Sequence, residues 1–192
     1  MRRKYKLLVW AVILSPIFLY HKITHMNGDE LAWVKCWDMG DTLFFESGSN
    51  GKDTVIFNST KIYNSLCPIN KNTNIELGSE YNATAFLNYE LLHNGLAMVG
   101  RLWVEKKEQD QPIALHLRLC CRFALYLHPY LKKYFVEGIE YDDCVRIDGS
   151  NSDVGWPDHK KCINSFLWSK SRGLLQYSFP DGETYTRCDL KN

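Results

Sequence analysis

The sequence predicts a mainly β protein: a strongly twisted antiparallel meander sheet that forms a sandwich, half-barrel or barrel, with at most one or two short helices. Aromatic residues make up 14% of the 192 residues, and broad rings pack well on pleated sheet surfaces. Runs of β-forming residues alternate with compact turns rich in Gly, Asn and Asp. Strands do not alternate with helical segments of about 10 to 15 residues, which argues against a parallel α/β sheet.

The first predicted hairpin lies near the N-terminal end of this β region. Its strands are DTLFFES (41–47) and DTVIFNS (53–59), and GSNGK (48–52) supplies the turn. The residues that follow are more polar. A short helix near Lys61 to Leu66 fits them, whereas PINKNTN (68–74) has the composition of a loop.

Three long strands joined by compact turns predict a meander in the middle of the chain. They are YNATAFLNYELL (81–92), LAMVGRLWVEKK (96–107) and PIALHLRLCCRFALYL (112–127). Asn94-Gly95 favours a tight hairpin, because both residue types tolerate the positive φ values that such a turn requires.

The C-terminal third predicts further strands, for a total of about eight or nine. HPYLKKYF (128–135) fits either a brief helix or a bend, GIEYDDCVRID (138–148) is a strand, and GSNSDVGWPDHK (149–160) is a polar loop. Three strands follow. Phe179-Pro180-Asp181-Gly182 predicts a turn with Gly in the left-handed position, which would place Tyr177 opposite Tyr185.

The N-terminus has the pattern of an export segment. MRRKYK is basic, and the apolar run Leu7 to Tyr20 is shorter than the roughly 20 residues that span a membrane. A cleaved signal, an uncleaved anchor and a buried N-terminal helix remain alternatives, since no A-x-A cleavage site follows. We assign 1–25 to a signal peptide or membrane anchor and 29–192 to one extracytoplasmic domain, in the periplasm or cell envelope, secreted or anchored.

An oxidising compartment makes disulfides the first interpretation of the cysteines, and their odd number leaves one thiol over. Cys144 and Cys162 flank the polar loop and are the candidate disulfide. A metal site using Asp142, Asp143, His159 and Cys162 is weaker, because short C-x₂₋₄-C pairs are absent from the sequence. The seven cysteines are Cys36, Cys67, Cys120, Cys121, Cys144, Cys162 and Cys188.

Cys120 is the one candidate for a reactive thiol. If 112–127 is a single strand, alternation places Cys121 on an apolar face and Cys120 between Arg118 and Arg122, whose charges favour a thiolate. His116 would lie about 13 Å along that strand, too far to activate the thiol. A disulfide and an inert thiol are the alternatives for Cys120.

Two segments resemble uncharacterised secreted proteins and lipoproteins of Bacteroides-type bacteria. FLWSKSRGLLQYSFPDGETYT (166–186) is similar to the closing segment of those families, and GDTLFFESGSNGKDTVIF (40–57) to their opening hairpin. The resemblance implies an exported β-rich fold and no assigned activity. Unlike the lipoproteins, this chain lacks a lipobox cysteine.

Catalytic and cofactor motifs are absent from the sequence: there is no G-x-S-x-G, H-E-x-x-H or G-x-G-x-x-G. DGSNSD (148–153) departs from the EF-hand pattern. A net charge of +1 without a basic stripe excludes nucleic acid as the expected partner. We therefore predict no catalytic, cofactor or metal residue.

The function that the sequence favours is a non-enzymatic binding or interaction domain of the cell envelope. Its partner would be an envelope protein or an apolar or small ligand, with membrane association through the N-terminus if an anchor is retained. The alternative is an envelope hydrolase whose active site is built from loops.

Overall fold

The computed structural model describes residues 24–63, 82–119, 122–126, 129–148 and 163–190, and these form a mainly β domain, which confirms the predicted fold class. One α-helix, α1 (Gly28–Lys35), precedes the strands, and a short 3₁₀ helix (Cys188–Leu190) follows them. The strands are β1 (Thr42–Ser47), β2 (Lys52–Tyr63), β3 (Ala83–His93), β4 (Leu96–Lys106), β5 (Ala114–Leu119), β6 (Arg122–Tyr126), β7 (Lys132–Val136), β8 (Ile139–Ile147), β9 (Ser165–Ser169), β10 (Gly173–Ser178) and β11 (Thr184–Arg187).

All strands belong to one antiparallel sheet in the order β6-β5-β4-β3-β2-β1-β11-β10-β9-β8-β7. Consecutive strands pair from β1 to β6 and from β7 to β11, as expected for a meander, and the first strand also pairs with the last. In the described part of the chain β6 and β7 are the two edges, and the sheet is not closed into a barrel.

Turn chemistry sets the tight hairpins as the sequence predicts. Asn94 and Gly95 have φ of 48° and 76° and join β3 to β4 with His93 opposite Leu96. Gly182 has φ of 90° and donates its backbone N–H to Phe179 O at 3.0 Å. This turn confirms the predicted pairing of Tyr177 with Tyr185.

Three segments differ from the predictions. PIALHLRLCCRFALYL is not one strand: β5 and β6 are antiparallel partners, with Leu117 opposite Ala124 and Arg118 opposite Phe123. The face alternation of a single strand therefore does not extend across 120–121. Lys61–Tyr63 belongs to β2, so the predicted helix is wrong over those residues, because pairing with β3 continues to its start. Within 128–135, β7 begins at Lys132 rather than a helix.

The inward face of the sheet forms the main core, and α1 covers part of it. Asn27 caps the helix: its side chain accepts from the Glu30 backbone N–H, and the Glu30 carboxylate accepts from the Asn27 N–H. Lys106 Nζ lies 2.6 Å from Glu30 Oε1, which ties the helix to β4. Large members of the core are Trp33, Phe45, Phe57, Tyr89, Leu102, Phe166, Trp168 and Tyr177.

The two ends of the sheet differ in character. Since β1, β3 and β10 run in the same direction, the turns β1–β2, β3–β4 and β10–β11 all lie at one end, which we call the hairpin end. Helix α1 lies towards the opposite end, where Lys170 in the β9–β10 turn pairs with Asp29 at 2.5 Å. No helix in the described ranges is long and apolar enough to cross a membrane.

Candidate functional site

Polar side chains from three hairpins meet at the hairpin end. They come from β1–β2, β3–β4 and β10–β11, segments that are far apart in sequence. We call them the hairpin-end cluster: Asp53, His93, Tyr177, Glu183 and Tyr185, with Ser47 and Ser49.

Asp53 is the buried charge of this cluster. It takes an inward position of β2, in alternation with Val55 and Phe57, and its side chain is 0% exposed. A buried carboxylate is costly unless it is hydrogen-bonded. Its Oδ2 lies 2.7 Å from His93 Nδ1 and accepts the hydrogen bond of the Tyr177 hydroxyl, whereas Oδ1 has no hydrogen-bond partner among the described residues.

His93 ends β3 and is held on several sides. Its ring lies 4.3 Å from that of Phe179 and meets the Tyr185 ring edge-on at 5.5 Å. With Nδ1–H donated to Asp53, Nε2 lies 3.0 Å from Asn94 Nδ2 and is placed to accept from that amide. A carboxylate on Nδ1 orients the imidazole as in acid–base catalysis.

Two tyrosines extend the cluster into the core. The rings of Tyr177 and Tyr185 stack at 5.2 Å with an angle of 1° between their planes. Burial, together with the hydrogen bond to Asp53, raises the pKa of Tyr177 well above its usual range. Tyr177 therefore keeps its proton and remains a donor to Asp53.

Glu183 joins the β10–β11 hairpin to the β1–β2 hairpin. Its Oε1 accepts from Ser47 Oγ at 2.7 Å and from Ser49 Oγ, and its Oε2 accepts from the Tyr185 hydroxyl at 3.3 Å. Gly51 makes this junction possible, because a Cβ there would lie 2.5 Å from the Tyr185 hydroxyl. The hydrogen bonds from Ser49 and Ser47 lower the pKa of Glu183.

The Glu183 contacts predict a specific pH dependence. Because the pKa of Glu183 is lower in the folded than in the unfolded chain, its contribution to stability is present above the unfolded pKa of about 4.3 and is lost as pH falls through the folded pKa. Glu183→Gln should be less stable than the parent at neutral pH, with a difference that shrinks below about pH 4. Urea unfolding across this range measures it. Glu108→Gln, in an exposed turn, is the control and should show no such convergence.

Among the described residues, no nucleophilic side chain forms a hydrogen bond with the His93 ring. The polar contact of Nε2 is the Asn94 amide, while the Ser47 and Ser49 hydroxyls are engaged by Glu183. The arrangement supplies an oriented base and no partner for it among the described residues. Its evident effect is to tie three hairpins together.

The predicted thiol sites are only partly described. Cys144 lies buried on the outer face of the sheet in an apolar cluster with Val136 and Leu167, where burial and then the charge of Asp143 raise its pKa to about 12. Within the described residues no disulfide forms, and Cys36 and Cys144 are free thiols. Cys162 and Cys120 lie outside the described residues, so the disulfide with Cys144 and the reactive Cys120 remain predictions.

Asp143, a candidate metal ligand in the sequence, instead stabilises the β9–β10 turn. Its carboxylate accepts from Ser169 Oγ at 2.7 Å and from the Ser171 backbone N–H at 2.8 Å. In the described ranges no three His, Cys, Asp or Glu side chains lie close enough together to hold a metal ion. His159 lies outside those ranges.

The sequence contained one unused signal for the hairpin-end cluster. In DTVIF, strand alternation places the charged Asp53 on the same face as Val55 and Phe57, and in YELLH it places His93 with Tyr89 and Leu91. A titratable residue on an apolar face requires a buried partner. Two such residues on predicted neighbouring strands therefore mark a candidate cluster.

Comparisons with known proteins give no information on the chemistry of this cluster, which follows from its geometry alone. The resemblance to secreted families of Bacteroides-type bacteria stays a hypothesis. No family model, no curated protein and no solved structure matched the chain.

Proposed function

We propose that this chain is an exported binding or interaction domain of the cell envelope, and that it recognises its partner through the hairpin end. The recognition surface, which we call the rim, consists of the three turns 48–51, 93–96 and 179–183. Exposed residues of the rim include Asn50, Asn94, Leu96 and Asp181.

The observation that carries this proposal is the cross-linking of exposed turns by hydrogen-bonded side chains, which range from the fully buried Asp53 to the exposed Ser49. Glu183 bonds to Ser47 and Ser49, and Asp53 bonds to both His93 and Tyr177. Loops often carry function, and loops held in one conformation lose less entropy when a partner binds. The cluster thus gives the rim the rigidity that a recognition surface needs.

Export is supported by the chain itself rather than by the rim. The basic start and the apolar run 7–20 fit a signal or anchor, and the resemblance to secreted families points the same way. The proposed location is the periplasm or envelope. Producing the full chain in a bacterial host and measuring protease access before and after permeabilisation of the outer membrane tests this. Continued protection of the chain after the outer membrane is permeabilised would contradict it.

Site-specific photo-cross-linking tests the rim. Leu96 (68% exposed, in the rim) and Phe135 (71% exposed, on edge strand β7) are each replaced by a photo-reactive benzoylphenylalanine in the full chain. We expect a discrete cross-linked product from position 96 and none from position 135. Equal products at the two positions, or none from 96 in correctly exported protein, would contradict the proposal.

The contact between Asp53 and His93 supports a second candidate, an envelope hydrolase. An oriented histidine can act as a general base and contributes about 10² to 10⁴ in rate. Under this alternative His93→Gln would lower hydrolysis of a p-nitrophenyl ester by that factor while circular dichroism stays unchanged. The binding proposal expects no ester hydrolysis above the uncatalysed rate. Asn50→Ala, a rim variant that leaves His93 in place, is the control, and under the hydrolase alternative it should keep the parent's activity.

A further inference from the structure

The sequence contains three Asn-Gly pairs, and the structure places them in three different settings. They are Asn27-Gly28, Asn50-Gly51 and Asn94-Gly95, and all three asparagines are exposed. An asparagine followed by glycine is chemically labile, because a residue without a Cβ leaves its backbone nitrogen open to the asparagine side chain. The contacts around each pair therefore decide which of them can react in the folded chain.

The reaction of such a pair is an intramolecular substitution that needs water as its one co-reactant. The backbone nitrogen of the glycine forms a bond to the side-chain carbonyl carbon Cγ of the asparagine and gives up its proton. The Cγ–Nδ2 bond breaks, and Nδ2 leaves with that proton as ammonia. Water then opens the cyclic imide: opening at Cγ gives aspartate, and opening at the backbone carbonyl carbon gives isoaspartate.

Asn27-Gly28 is held by the start of helix α1. The Asn27 side-chain oxygen accepts from the Glu30 backbone N–H at 2.8 Å, and the Asn27 N–H donates to Glu30 Oε2 at 2.9 Å. Gly28 is the first residue of the helix. Attack on Cγ requires the side chain to leave the cap and the first helical turn to open, so the cap protects this pair.

Asn50-Gly51 is held by the β1–β2 turn. The attacking nitrogen is itself engaged, because the Gly51 N–H donates to Ser47 Oγ at 2.9 Å. Gly51 O accepts from the Ser47 N–H at 2.9 Å, and the Asn50 N–H donates to Ser47 O at 3.2 Å. The Tyr185 hydroxyl lies against Gly51 and closes one side of the turn. These contacts oppose the rotation that would bring the Gly51 nitrogen to Cγ of Asn50.

Asn94-Gly95 is the least restrained of the three pairs. In the described part of the chain the Gly95 N–H has no hydrogen-bond partner, and a Cβ on Gly95 would meet no atom within 4 Å. The Asn94 side chain contacts the protein through Nδ2, the atom that leaves, at 3.0 Å from His93 Nε2. The pairing of His93 with Leu96 closes the turn.

We propose that Asn94 is a site of spontaneous modification, which converts through a cyclic imide to aspartate or isoaspartate, while the fold protects Asn27 and Asn50. Either product adds a negative charge next to His93, and isoaspartate also lengthens the backbone of the turn by one carbon atom. The inference does not rest on the proposed function of the rim, because it concerns the chemistry of the turn itself.

Mass spectrometry of peptides from the full chain tests the proposal after incubation at neutral pH, folded and, in parallel, unfolded in urea. Incubation in water enriched in heavy oxygen marks the acids formed before digestion. In the folded chain Asn94 should convert at least about tenfold faster than Asn27 or Asn50, because opening the hydrogen bonds of the other two pairs adds a cost of this order. In urea the three should convert at similar rates. Equal rates in the folded chain, or slower conversion of Asn94 than of either other asparagine, would overturn the proposal.

Ser47→Ala tests the physical reason for the difference, because it removes the acceptor of the Gly51 N–H. We expect conversion of Asn50 to rise about 2- to 10-fold, the effect of losing one hydrogen bond, with Asn94 unchanged. Ser178→Ala, on β10, is the matched control and should change neither rate. If Ser47→Ala unfolds the chain, all three pairs will convert at their rates in urea, and the ratio in the folded parent decides. An unchanged Asn50 rate in folded Ser47→Ala would contradict protection by this bond.

Discussion

Replacing Asp53 by Ala is expected to destabilise the fold by about 3–5 kcal/mol, because it removes one member of a buried hydrogen-bonded group and leaves the others without a partner. The Tyr177 hydroxyl is buried and donates to Asp53, and His93 Nδ1 lies 2.7 Å from the same oxygen. Both groups would lose their partner at once. Urea unfolding at neutral pH measures the change in the free energy of unfolding.

A double-mutant cycle separates the Asp53–Tyr177 contact from other effects of the substitution. Asp53→Asn, Tyr177→Phe and the double variant should show a coupling energy above about 0.5 kcal/mol, as residues in direct contact do. Asp38→Ala removes an exposed carboxylate and serves as the control, with an expected change within about 0.5 kcal/mol. If Asp53→Ala costs no more than Asp38→Ala, the cluster does not hold the hairpins together.

Gly173→Ala is the second substitution with a large expected effect. Gly173 has φ of 72°, and a Cβ there would overlap Trp37 Nε1 and lie 3.0 Å from Trp37 Cδ1. Left-handed backbone costs a residue with a Cβ about 1–2 kcal/mol, and the overlap adds about 1–3 kcal/mol because Trp37 is packed on the Phe57 ring at 5.5 Å. We expect a total loss of about 2–5 kcal/mol, measured by chemical unfolding.

Gly138 provides the matched control for this steric argument. Its φ is 80°, and a Cβ there would meet no atom within 4 Å. Gly138→Ala should therefore cost only the backbone part, about 1–2 kcal/mol. Equal losses for the two variants would show that Trp37 moves aside at little cost, which would contradict the close approach of β10 to Trp37.

Features that depend on neighbours in sequence were predictable. The β10–β11 hairpin follows from Pro180 and Gly182, and Asn94-Gly95 sets the β3–β4 turn with the expected positive φ values. Helix α1 also has a local signal, the capping pair Asn27 and Glu30, which the strand-rich composition around it obscures.

Features that depend on pairing between distant segments were not predictable. β5 ends at Leu119 and β6 begins at Arg122, and the sequence between them contains no Gly or Asn signal, so the segment reads as one strand. The partners of Asp53 lie 40 and 124 residues away in sequence. Alternation marks Asp53 as inward-facing, but only the assembled sheet identifies His93 and Tyr177 as its partners.

The pairing of β1 with β11 has a consequence for how the protein is made. Phe45 is opposite Arg187, so almost the whole domain must be synthesised before the first strand gains its second neighbour. Contacts of such long sequence separation slow folding, and until they form β1 keeps an open edge that can pair with other chains. A nascent or truncated chain that ends before Thr184 therefore exposes an aggregation-prone strand edge. Such a chain depends on chaperones, rather than on its own fold, to stay soluble.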